Sequence, residues 1–141
     1  MLRVSQTATM PNGHHGSEKE WERLEAPLRD IDAAIEAFAV RHRMAIGRNY
    51  HAWPERSLRW GSDPERVIQI YLGDEERLTW NLWLCASQER DRQRFWKRQF
   101  LRQNIPMGEM SPLIEQLLNE GFLIVNSWRL EDLEPATTFE R

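Results

Sequence analysis

Three groups of residues have the types and spacing to do chemistry. Tyr50, His51 and Trp53 crowd into Arg48-Asn49-Tyr50-His51-Ala52-Trp53-Pro54, dense in hydrogen-bonding and aromatic side chains. On a loop beside a sheet they would orient a small polar ligand, as a binding pocket or an enzyme site. The same residues also suit an ordered strand-to-loop connection whose polar atoms are satisfied internally.

The second group is Arg90-Asp91-Arg92-Gln93-Arg94-Phe95-Trp96-Lys97-Arg98-Gln99-Phe100, where bases such as Arg94 and Arg98 are interleaved with aromatics. Cations neutralise phosphates while rings stack on unpaired bases, so 90–102 is a candidate for single-stranded nucleic acid. If the segment is a helix, Trp96 and Phe100 lie one turn apart and face the core. The net charge of −3 also disfavours a dedicated nucleic-acid binder.

The third group lies on a hairpin. Leu78, Trp80, Leu82, Leu84 and Ala86 recur every second residue, as do Ile68, Ile70 and Leu72. That period puts each set on one face of a strand. The opposite face then carries Thr79, Asn81, Trp83 and Cys85, with Gln69 and Tyr71 across from them. If helices cover only the first face, Trp83, Tyr71 and Trp60 form an exposed aromatic patch, the mark of an interface or ligand groove.

Other chemistries lack residues. There is no nucleophile elbow, phosphate-binding loop, dinucleotide fingerprint or His-Glu-x-x-His metal motif. Cys85 is the single cysteine, which excludes an intrachain disulfide and a Cys-rich zinc site. Pairing of Cys85 with His42 or His51 as nucleophile and base is not required by any spacing. His14-His15 has no fixed geometry for a metal. No cofactor and no metal is expected.

The elements that position these groups follow from pattern. A length of 141 residues with 29% charged side chains suits one globular domain. No apolar run spans a membrane, and the N-terminus lacks the apolar core of a secretory signal; a cytoplasmic location is expected. Residues 1–16 are polar and small, with breakers, and read as a disordered tail before a single domain over 17–141. Ser17 with Glu20 fits a capping box. Leu24, Leu28, Ile31, Ile35 and Phe38 then mark an amphipathic helix to about Arg43, with Pro27 kinking or splitting it. Gly47 reads as a break. Short strands follow near 48–53 and 57–60, then the hairpin, turned by residues 73–76. Arg, Gln and Lys favour a helix over 88–103, its bases free to pair with the acidic first helix. Ser111-Pro112 reads as a cap and first turn of a last helix, running through Gly121 to Trp128 or stopping at Gly121 with a strand beyond.

The expected fold is therefore α+β: an N-terminal helix, a three- to four-stranded antiparallel meander, and two C-terminal helices packed mainly on one sheet face. The expected role is a small soluble binding or interaction protein without catalysis. It would use the aromatic sheet face or an adjacent cleft to meet a protein partner or a second copy of itself as a homodimer. Nucleic acid is a disfavoured alternative, and no membrane is involved.

Overall fold

The computed structural model describes residues 18–50, 54–73 and 78–136. A helix α1 (Glu18–His42) leads into strands β1 (Ala45–Tyr50), β2 (Pro54–Trp60), β3 (Glu65–Gly73), β4 (Thr79–Arg90) and β5 (Gln93–Pro106). A 3-10 turn at Met107–Glu109 opens helix α2 (Met110–Ser127), and a two-residue strand β6 (Glu134–Pro135) closes the fold. The six strands stand in sequence order in one sheet, every pair antiparallel. The architecture is α+β with a meander: β1 to β5 are joined by short connections that keep successive strands adjacent, and β6 returns beside β5 after α2.

Helix α1 runs unbroken through Pro27. Leu28, Ile31, Ile35, Phe38 and Ala39 are buried on its apolar stripe. Its end is fixed by backbone geometry. Arg43 takes a left-handed φ of 58°. Met44 N–H donates to the Ala39 carbonyl at 2.8 Å and Arg43 N–H to that of Val40 at 3.4 Å. These are the paired bonds of a Schellman stop. The expected cap at Ser17 lies outside the described residues, as does the tail over 1–16.

Both helices lie on one sheet face. α1 packs on β1 and β2, and α2 on β3, β4 and β5. Between them and the sheet sit Leu58, Ile68, Ile70, Leu72, Trp80, Leu82 and Leu84, all within 1% of complete burial. α2 runs through Gly121 to Ser127, so residues 122–125 are helix and not a strand. A Cβ on Gly121 would stand 2.9 Å from Leu84 Cδ2 and 3.3 Å from Ile68 Cδ1. The missing side chain lets helix and sheet approach. Ser111 is not the cap, since the helix starts at Met110.

The acidic face of α1 is not merely solvated. Glu25 and Asp32 reach Arg56, which is 0% exposed between α1 and β2. Arg56 Nε donates to Asp32 at 2.8 Å, and one of its terminal nitrogens to Glu25 at 3.2 Å. Arg48 adds contacts to Asp32 at 3.7 Å and Glu25 at 3.9 Å. Burial by itself would lower the Arg56 pKa, but the hydrogen bonds and charges of Asp32 and Glu25 more than offset it and raise it. The expected partners of this helix, the bases of 88–103, are elsewhere. Arg102 pairs with Glu120 of α2 at 3.5 Å, and Lys97 lies over the Trp128 ring at 5.0 Å.

Two expectations fail here. The sheet has six strands rather than three or four, and 88–103 is the end of β4, a turn and most of β5 rather than a helix. Helix propensity in Arg, Gln and Lys is worth tenths of a kcal/mol per residue and yields to tertiary pairing. The turn is two residues, Asp91 and Arg92, with φ of 53° and 64° between the paired Arg90 and Gln93. Positive φ at both positions is what a type I′ hairpin needs, usually met by Asn-Gly. A bulge further hides the strand. The register slips on both sides of Leu82, so β5 spends extra residues opposite β4 and its apolar side chains lose strict alternation. Asn81 stabilises that bulge: its side-chain carbonyl accepts from Asn104 N–H at 3.2 Å, where Asn104 has φ 59°. Gly47, read as a break, lies inside β1, where its absent Cβ leaves room for Ser57 Oγ across the strand pair.

Candidate functional site

The sheet face turned away from the helices carries no packed layer among the described residues. Register orders its side chains in cross-strand rows. Ser57, Gln69, Trp83 and Phe100 make one row. Arg59, Val67, Cys85 and Arg98 make the next, followed by Glu65, Ser87 and Trp96, then Glu89 and Arg94. Neighbours within a row stand within side-chain reach, so each row is a contact unit.

An aromatic cluster holds the first two rows together. Trp83 and Phe100 stack with ring centroids 3.6 Å apart at 28°. The Trp83 indole N–H donates to the Tyr71 hydroxyl at 3.4 Å. The Arg98 guanidinium lies 4.1 Å from the centroid of Trp83 and 5.4 Å from that of Trp96. A cation over an indole is attracted by the ring quadrupole. Stacking occupies the flat face of a guanidinium and leaves its in-plane N–H groups available.

Beside this cluster lies a hollow of about 440 Å³, whose lining includes Arg59, Glu65, Gln69, Cys85, Arg94, Trp96 and Arg98. Its floor is apolar at buried Val67. Toward the β4–β5 turn it adjoins a second hollow of about 380 Å³, and Glu65, Ser87 and Arg94 border both. Arg59 pairs with Glu65 at 3.5 Å, while Arg94 reaches Glu89 at 3.8 Å and the Ser87 hydroxyl at 3.3 Å. No carboxylate pairs with Arg98 among the described residues. Burial pushes the Cys85 thiol pKa up, against the opposing charge of Arg98. A thiol held protonated is a poor nucleophile, so Cys85 serves this hollow as a wall.

The sequence-derived candidates divide into two sets. Tyr71, Trp83, Arg94 and Arg98 share this one face. Tyr50 ends β1 at the sheet edge, opposite Pro54. His51 and Trp53 lie outside the described residues, so that group is not assembled here. Trp60, expected beside Trp83, is on the other side: its indole N–H donates to Asn126 of α2 at 2.9 Å. Trp80 is core, 1% exposed. Trp96, Phe100 and Arg59 belong to the face and were not expected there. The signal for two of them was present: Arg94, Trp96, Arg98 and Phe100 alternate at period two. A helical reading of the segment concealed it.

Among the described residues no group of three His, Cys, Asp or Glu side chains is arranged to hold a metal ion. No described helix is long and apolar enough to cross a membrane. The chain matches no protein-family model, no curated protein and no solved structure.

Proposed function

We propose that this chain is a binding protein whose contact surface is the helix-free face of its sheet, centred on Trp83. One observation carries the reading: both helices pack on one face, while the other exposes Trp83, Phe100, Trp96 and Tyr71 half-buried beside arginines. Half-buried rings next to a hollow are the composition of binding surfaces rather than of ordinary solvated sheet. Self-association through the same face is one way to cover it, since a two-fold contact would set this patch against itself.

Light scattering and a thermal-shift panel of small anions, small aromatics and molecules combining both test the reading on wild type and Trp83→Ala. The expected result is a ligand-induced rise in Tm, or a dimer, that is lost in the variant. A monomer that no compound stabilises, with the variant indistinguishable from wild type, would contradict it.

A second reading is single-stranded nucleic acid. The alternation of Arg94, Trp96, Arg98 and Phe100 along β5 favours it, because a strand presents all four on one face. Glu65 and Glu89 among them oppose it. Fluorescence anisotropy of a labelled oligonucleotide at low salt decides: binding should weaken steeply with salt and with Arg94→Gln, and no binding at low salt removes the reading.

A further inference from the structure

We propose that the hollow beside Arg98 is a site for a small aromatic carboxylate, with the carboxylate on the Arg98 guanidinium and the ring against Trp96. The inference rests on the reading of the helix-free face as a binding surface and names its ligand.

Charge decides the head group. Of the three arginines lining the hollow, Arg59 has Glu65 at 3.5 Å and Arg94 has Glu89 at 3.8 Å. Arg98 has no carboxylate among the described residues; its contacts are the rings of Trp83 and Trp96. One uncompensated guanidinium calls for one negative group. Its central carbon lies 4.1 Å from the Trp83 ring centroid, which anchors the fork beside the hollow. Two in-plane N–H groups then match the two oxygens of a carboxylate.

Ring contacts decide the body. Trp83 is already engaged by Phe100, Arg98 and the Tyr71 hydroxyl. Trp96 lines the hollow and has no ring partner among the described residues. It is the indole left for a ligand ring to stack on. The volume of about 440 Å³ falls within the range of small-molecule sites and accommodates one or two fused rings rather than a polymer. The Gln69 amide makes no hydrogen bond to the described residues and supplies a polar contact at the wall.

The probes are 2-naphthoate and its neutral isostere 2-naphthamide, titrated by calorimetry into the whole chain. Naphthoate is expected to bind at least tenfold more tightly than naphthamide. Arg98→Gln should abolish that difference, and Trp96→Ala should weaken both probes. In wild type, naphthoate should also slow alkylation of Cys85 by iodoacetamide, and in Arg98→Gln it should not. The wild-type comparison needs no variant, so it holds even if a substitution impairs folding. Equal affinity for the two probes, a preference for naphthoate that survives Arg98→Gln, or binding of neither would overturn the site. Equal binding that Trp96→Ala abolishes would do so while leaving the helix-free face as the binding surface. Binding of neither, together with an inert Trp83→Ala, would remove both.

Discussion

Cys85 and Arg98 face each other across β4 and β5, and each reports on the other. The thiol pKa is raised by burial and drawn back by the guanidinium. Removing that charge with Arg98→Gln should raise it further, so iodoacetamide should label the variant more slowly than wild type at the same pH. The sign for stability follows from the neutral form being favoured in the fold. The contribution is fully present below the ordinary thiol pKa and is lost as pH rises from there through the raised value of the folded state. Urea denaturation should therefore show wild type losing more stability above about pH 9 than Cys85→Ala does. At this scale the sequence was partly legible. The period-two pattern of β4 announced Trp83 and Cys85 on one side. Arg98 and Trp96 stand out by residue type, but helix propensity points to the wrong element for them. The absence of a carboxylate beside Arg98 depends on pairings between β2, β3 and β5 that no local pattern encodes.

Elements are where sequence and structure part most clearly. α1, the central hairpin and α2 follow from hydrophobic period, and α2 persists through Gly121 because the sheet needs no side chain there. β5 reads poorly as a strand for two physical reasons: its hairpin turn is Asp-Arg rather than Asn-Gly, and its bulge breaks the alternation beyond Phe100. The turn can be tested. Arg92 carries a left-handed φ of 64°, a conformation that costs a side-chain residue about 1–2 kcal/mol. Arg92→Gly should relieve it and stabilise the fold by about 1 kcal/mol after the added freedom of the unfolded chain is subtracted. Arg43→Gly at the end of α1 should act in the same direction, for the same reason. Gly121→Ala should go the other way. Its new Cβ gains about 1 kcal/mol of helix propensity but must displace Leu84 and Ile68 at a cost of about 1–3 kcal/mol. Denaturant midpoints read all three.

The whole molecule is a two-layer fold with charge built into one end of its core. Arg56, fully buried between α1 and β2, is held by carboxylates from α1. Truncating one member of such a set strands the others without compensation. Arg56→Ala should cost about 3–5 kcal/mol in urea unfolding, and Arg56→Met should cost little less, because Glu25 and Asp32 stay behind. That loss would leave the opposite face chemically unchanged, which separates what makes the chain fold from what it binds. The sequence indicated an acidic helix seeking basic partners. It pointed to the bases of 88–103 instead of Arg48 and Arg56, because those two meet Glu25 and Asp32 only once the first two strands lie under the helix.

The central claim is that binding happens on the helix-free face. Indole N–H signals in a two-dimensional NMR spectrum test it directly, because five tryptophans divide between the faces: Trp83 and Trp96 on one, Trp60, Trp80 and Trp128 toward the helices. Titration with 2-naphthoate should shift the Trp83 and Trp96 signals and leave the other three in place. Shifts confined to Trp60, Trp80 or Trp128 would put the ligand on the helical side and contradict the account.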